Sequence, residues 1–178
     1  MEFTVIKKCQ WPEIKEIYME AFPKRERKPY LTLRHSVRTG KAVLMTAVEE
    51  QKLLGFVVLI PYKNMVMVDY LAVSSKIRSK GTGSYIMENV CRQYADKKIV
   101  LLIECLDDQA DNQKQRIARR KFYIKNGFSS SGIFIRGAGG WMEILKSGGV
   151  VSKEEYLDLQ KYALGTLLFK LAKIKIME

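Results

Sequence analysis

The sequence predicts an α/β (α+β) fold, and three features of the chain carry that reading. About seven short apolar runs, each of roughly nine residues or fewer, have the composition of strands. The segments between several of them repeat apolar residues every three to four positions, which is the helical period. Proline and glycine fall at the junctions, so the order reads β-α-α-β-β-β-α-β-α-β-β with a further helix at the end.

Each element has its own justification. Residues 3–6 form a first strand-like run. Residues 11–22 follow as a helix with Trp11, Ile14, Ile17, Tyr18 and Ala21 at helical spacing, Pro12 in its first turn and Pro23 ending it. A basic loop over 24–29 leads to a second helix over 30–38, stopped by Gly40. Strands over 42–48 and 53–60 flank the turn Glu49-Glu50-Gln51-Lys52 as a hairpin, with Pro61 closing the second. The next strand covers 65–73, and a helix covers 81–95. Residues 99–105 are almost wholly apolar, the pattern of a central strand buried on both faces. After a polar stretch over 107–113, a helix ends near Asn126 with Gly127 at the C′ position. Residues 133–135 and 141–145 make a last strand pair. Ser152-Lys153-Glu154-Glu155 has the form of a capping box, opening a helix with Tyr156, Leu159, Tyr162, Ala163 and Leu167 along one side.

Composition narrows the functional classes. With 178 residues and 47% apolar content, the chain suits one domain over 1–178, with a core over about 1–147 and a C-terminal helix over 152–176. The apolar runs are too short to span a bilayer and Met1-Glu2-Phe3-Thr4 lacks a signal-peptide pattern, so a cytoplasmic protein without a membrane partner is expected. Cys9, Cys91 and Cys105 are odd in number and show no C-x-x-C spacing, and they read as reduced, mostly core thiols. With His35 as the single histidine, no metal site is expected. The net charge of +12 raises nucleic acid as a partner. An aromatic RNP pattern, a zinc motif and a free basic helix are all lacking, so none is expected. The cations concentrate instead in two stretches without acids, one with Lys76, Arg78 and Lys80, the other with Lys114, Arg116, Arg119, Arg120, Lys121 and Lys125.

The first of these stretches contains Arg78-Ser79-Lys80-Gly81-Thr82-Gly83, between a strand-like run and a helix-like run. Two glycines at such a turn let backbone N–H groups converge, and the helix N-terminus adds unsatisfied donors and the positive end of its dipole. That arrangement suits phosphate. It is neither G-x-G-x-x-G nor a P-loop. A second segment, Arg119-Arg120-Lys121-Phe122-Tyr123-Ile124-Lys125-Asn126-Gly127-Phe128, follows the next strand. Together the two resemble the GNAT acetyltransferase superfamily, in which R/Q-x-x-G-x-G/A follows the fourth strand and the fourth helix closes on Tyr-x-x-x-Gly-Phe. The resemblance covers about residues 40–146. It implies the GNAT fold, a mixed, mostly antiparallel central sheet of about seven strands flanked by helices, here with an extra C-terminal helix. It also implies an acetyl-CoA-dependent N-acetyltransferase that moves the acetyl group to a primary amine of a small molecule or peptide by direct attack in a ternary complex.

The resemblance assigns roles residue by residue. The amides of Leu71, Ala72 and Val73 would bind the pantetheine arm of acetyl-CoA, with Leu71 facing the thioester carbonyl. Arg78, Ser79, Lys80, Gly81, Thr82, Gly83 and Ser84 would hold the pyrophosphate. Tyr123, close to the CoA sulfur in the family, would protonate the departing thiolate, since a phenol keeps its proton at neutral pH. Glu104 is the candidate base: it is a carboxylate on an otherwise apolar strand, at the position where protein N-terminal acetyltransferases carry a glutamate. Partnership with a nearby arginine or backbone donor is its structural alternative, and Asp69 is the competing base. Two departures from the family stand out. Arg116 occupies the place, about seven residues before the tyrosine, where many relatives carry asparagine, and the segment from Glu104 to Tyr123 is longer than in the N-terminal acetyltransferases. A non-catalytic CoA-binding domain of this fold is the alternative to an enzyme. The terminal helix is expected either to pack on its own domain or to form a homodimer contact.

Overall fold

The chain runs β1 (Glu2–Val5), α1 (Trp11–Ala21), α2 (Tyr30–Arg38), β2 (Val43–Glu49), β3 (Lys52–Tyr62), β4 (Met65–Val73), α3 (Thr82–Gln93), β5 (Lys98–Glu104), α4 (Gln113–Lys125), β6 (Ser129–Gly137), β7 (Gly140–Ser147), α5 (Lys153–Leu164), α6 (Thr166–Ala172) and β8 (Lys175–Ile176). The computed structural model describes residues 1–24, 26–77, 81–137, 140–172 and 174–177. The strands are ordered β1-β2-β3-β4-β5-β7-β6-β8, the mixed, mostly antiparallel sheet that the resemblance implied. Its eighth member is the two-residue β8, in a stretch expected to be helical. The chain groups into two compact units, residues 1–61 with 68–93 and residues 62–67 with 94–178.

In the first unit β1 pairs antiparallel with β2, Glu2 opposite Val48 and Val5 opposite Met45. The β2–β3 hairpin turns at Glu50 and Gln51, with φ of +49° and +64°. Two successive left-handed residues make a turn whose twist matches that of the strands it joins. Residues from Leu53 to Ile60 are all buried, the signature of a strand covered on both faces. Helices supply the cover through Ile14, Ile17 and Tyr18 of α1, Leu33 of α2, and Ile86, Met87 and Val90 of α3. Pro61 does not close β3, which continues to Tyr62. The last β2 pair is Val43–Leu59, so Pro61 lies where that ladder requires no donor.

Gly55 fixes the end of β4. A Cβ there would lie 2.5 Å from the Ala72 carbonyl oxygen, 3.1 Å from Val73 Cα and 3.3 Å from Ile86 Cδ1. The Ser74 N–H donates to the Leu54 carbonyl at 2.9 Å, locking the same approach. The absence of a side chain at residue 55 therefore lets β3 seat both the end of β4 and helix α3.

In the second unit β5 pairs antiparallel with β7, from Ile99 opposite Ser147 to Glu104 opposite Met142. β7 pairs with β6, and β6 with β8. The expected capping box forms: Ser152 N–H donates to Glu155 Oε2 at 2.9 Å, and Glu155 N–H to Ser152 Oγ at 3.2 Å. Helix α5 buries Tyr156, Leu159 and Gln160. The turn between β3 and β4 meets it, with the Tyr62 and Tyr162 rings stacked at 4.6 Å and Lys63 paired to Asp158 at 3.1 Å. The single terminal helix expected over 152–176 is instead α5, α6 and β8. Gly165, at φ +80°, ends α5 because few other residues adopt that conformation cheaply. The cysteines also differ from expectation. Cys9 is exposed and Cys91 and Cys105 are half-buried, so none of the three lies in the core.

Gly55→Ala is expected to lower stability by roughly 2–4 kcal/mol in urea denaturation, because neither backbone facing the new methyl can yield without moving β4. An unchanged midpoint would show that β3 and β4 separate freely.

Candidate active site

The glycine turn and the end of β4 belong to the first unit. Arg78, Ser79 and Lys80 lie outside the described residues. Gly81 has φ +76°, is exposed, and has open space where a Cβ would project. Its carbonyl accepts from Tyr85 N–H at 2.9 Å and so starts α3. Thr82 is 2% exposed, and among the described residues its Oγ1 is the buried side-chain polar atom without a hydrogen-bond partner. Gly83 and Ser84, half-buried, complete the first turn. An open glycine, free helical N–H groups and an orphaned hydroxyl meet at one point. That donor set fits the oxygens of a pyrophosphate. At the end of β4, Ala72 is buried and Leu71 and Val73 are half-buried.

Asp69 is committed elsewhere in this unit. Both its oxygens accept from Lys28 Nζ, at 2.9 and 2.7 Å. The loop bearing Lys28 is pinned by two phenols: Tyr18 donates to the Lys28 carbonyl at 3.0 Å, and Lys28 N–H donates to the Tyr70 oxygen at 3.0 Å. Burial raises the pKa of both phenols, Tyr18 beyond the usual tyrosine range, so they stay neutral hydrogen-bonding groups. Burial, followed by the charge of Lys28, lowers the Lys41 ammonium.

Tyr123 and Glu104 belong to the second unit. Gly127, at φ +85°, terminates α4: its N–H reaches the Ile124 carbonyl at 3.1 Å, and Phe128 N–H reaches the Tyr123 carbonyl at 3.1 Å. This is the double bond pattern of a Schellman motif, and the Tyr123 and Phe128 rings 5.9 Å apart supply its apolar contact. The Tyr-x-x-x-Gly-Phe spacing is therefore also a helix stop that clamps the tyrosine. Tyr123 is 9% exposed. Burial pushes its phenol up to about 12, against a smaller lowering by Arg119.

Glu104 is the hub of a polar cluster. Arg119 approaches its carboxylate at 2.9 Å, Arg116 at 3.3 Å, and the Asn112 amide at 3.1 and 3.3 Å. Asn112 Oδ1 in turn accepts from Arg116 Nε at 2.8 Å, and Arg116 also donates to the Cys105 carbonyl at 2.7 Å. Arg120 pairs with Glu143 on β7, a carboxylate 4% exposed. Three cations of the apparently acid-free stretch over 114–125 thus find acids on neighbouring strands, and their charge is not simply available for phosphate. Sequence reasoning passed over Asn112 and Glu143 as partners. An acid within the strand-like run around Glu143, four residues into an antiparallel partner of β5, was the available signal.

A GNAT acetyltransferase domain model matches residues 40–130, just over half of the chain and both motif segments. The chain belongs to the GNAT acetyltransferase family. No curated protein sequence matches it. Among solved structures, a GNAT-family protein from Bacteroides thetaiotaomicron superposes with a TM-score of 0.72 at 20% identity, covering 95% of this chain and 98% of that one. The aminoglycoside 6′-N-acetyltransferase from Enterococcus faecium gives 0.65 at 17% identity, over 83% and 96%. An acetyltransferase from Bacillus subtilis in complex with CoA gives 0.61 at 16%, over 84% and 99%. At these identities the likeness is one of fold. Among the described residues of this GNAT chain, no group of three or more His, Cys, Asp or Glu could hold a metal ion, and no helix is long and apolar enough to cross a membrane.

The raised Tyr123 phenol carries a stability signature. The unfolded chain ionises near pH 10 and the folded one near 12, so Tyr123 contributes nothing differential below pH 10 and loses stability as pH rises toward 12. In denaturant titrations between pH 9 and 12, wild type minus Tyr123→Phe should fall by on the order of 2–3 kcal/mol. A flat difference would mean that the hydroxyl is as hydrated as in the unfolded chain.

Proposed function

We propose that this GNAT protein is an acetyl-CoA-dependent N-acetyltransferase that transfers the acetyl group to a primary amine of a small molecule or peptide by direct attack in a ternary complex. The observation that carries this reading is the start of α3, where Gly81 leaves open space and the buried Thr82 hydroxyl lacks a partner, within a segment matched by the family model. Gly81, Thr82, Gly83 and Ser84, together with Arg78, Ser79 and Lys80, take the pyrophosphate. Backbone groups of Leu71, Ala72 and Val73 take the pantetheine arm, and the Leu71 amide polarises the thioester carbonyl.

In the step itself a neutral amine forms the new C–N bond at the thioester carbon, and the C–S bond breaks. The thiolate leaves with the electron pair and takes the Tyr123 hydroxyl proton. The excess proton of the amine passes to a base or to water, which restores the phenol. A phenol held near 12 stays protonated across the physiological range, as an acid for this role must. Glu104, accepting from Arg119 and Asn112 and ion-paired to Arg116, is better suited to anchoring α4 to β5 than to accepting a substrate proton directly. The local charge near Asp69 is likewise already answered by Lys28. Expected partners are therefore a small-molecule or peptide amine.

Three variants test the reading. Gly81→Asp should weaken CoA binding at least tenfold by calorimetry, since a carboxylate would face the pyrophosphate. Tyr123→Phe should lower kcat by roughly 10²–10³-fold while leaving the KM for acetyl-CoA within about threefold. Unchanged CoA affinity in the first variant removes the donor-site assignment. CoA binding without thioester turnover across aminoglycosides, polyamines and peptide N-termini assigns the fold a non-catalytic role. Glu104→Gln should lower the melting temperature while preserving the acid limb of the kcat/KM profile; loss of that limb would restore Glu104 as the base.

A further inference from the structure

We propose that the cleft between the start of α1 and the outer face of α2, in the first unit, binds a small organic phosphate of mononucleotide size. The cleft is open to solvent on one side and has a volume of about 800 Å³, within the range of small-molecule sites. On α2, Leu31, Arg34, His35 and Arg38 fall at i, i+3, i+4 and i+7 and so share one face, which lines the cleft. Lys8 and Trp11 line it from the other side.

The lining has a consistent chemistry. It contains three cations, Lys8, Arg34 and Arg38, and no carboxylate. Among the described residues none of the three forms an ion pair, whereas Lys28, Lys63, Lys98, Arg116, Arg119 and Arg120 all do. Arg34 and Arg38 stand four residues apart on one helix, a like-charge pair that weakens the helix bearing it. An anion held by both guanidinium forks removes that repulsion, and a phosphate dianion matches a lining with three cations better than a single carboxylate does. The body of the ligand has its own surface. The Arg34 guanidinium lies over the Trp11 ring, 5.2 Å from its centroid, and Leu31, 76% exposed, adds an apolar side chain to the same lining.

This cleft is separate from the donor turn within the same unit. Ile6, which lines the cleft, donates its N–H to the Leu44 carbonyl. The end of β4 abuts Gly55, which pairs with Ala47 on that same strand β2. Leu44 and Ala47 are roughly 10 Å apart along β2, so the two features meet that strand at different points. The assignment does not rest on the acetyl-transfer reading.

The test uses the full chain and AMP as probe, with adenosine and inorganic phosphate as controls. In the Gly81→Asp background, where the glycine turn is disabled, calorimetry should still give saturable AMP binding. That binding should weaken at least tenfold in Arg34→Ala/Arg38→Ala, and either control alone should bind at least tenfold more weakly than AMP. In wild type, without any substitution, the Trp11 indole N–H resonance should shift saturably with AMP while that of Trp141 stays fixed. AMP binding abolished by Gly81→Asp, binding indifferent to the two arginines, or an unmoved Trp11 resonance would each overturn the proposal. So would capture of polyglutamate or single-stranded DNA on this face that AMP cannot displace.

Discussion

The Cβ that residue 55 lacks would sit 2.5 Å from the Ala72 carbonyl and 3.3 Å from Ile86, and the first unit is organised around that missing atom. Because β3 can press on the last residues of β4, the chain leaves the sheet at Ser74, whose N–H is held by Leu54, and α3 begins at Thr82. Close packing makes this an all-or-none arrangement, since interiors at native density have no slack for an added methyl. The left-handed Gly81 and the orphaned Thr82 hydroxyl mark the start of that helix.

The second unit is held by a different kind of interaction. Its outer helix α4 carries a row of cations that would repel one another in isolation, and two strand carboxylates, Glu104 and Glu143, neutralise three of them. Buried or half-buried pairs of this kind are costly to break singly, because the survivor is left charged without a partner. At the far end of the same helix, the Gly127 stop fixes the backbone of Tyr123 through its own carbonyl, and Phe128 packs on the ring. Family signature and architecture thus share one motif: the Tyr-x-x-x-Gly-Phe residues are also those that end the helix cleanly.

Periodicity was enough to place nearly every element, because burial on one face imposes a period that single residues cannot hide. The hairpin at Glu50 and Gln51, the capping box at Ser152 and the helix stop at Gly127 were legible for the same reason, each being a local interaction among neighbours in sequence. The single terminal helix was misjudged at Gly165, where an apolar stripe continues on both sides of a residue whose backbone turns away. The cysteines were misjudged because residue type alone says how often a thiol is buried, not whether an apolar layer covers it.

By itself the sequence determined the order of elements, the glycine turn, the tyrosine clamp and membership of the family, all of which depend on short-range spacing. Only tertiary structure decided which groups Glu104, Asp69 and the arginines of α4 pair with. Their partners, Arg116, Arg119, Asn112, Lys28 and Glu143, come from a different element in each case, and some lie up to 41 residues away. An ion pair is a matter of distance in space, and no pattern along a chain measures that distance.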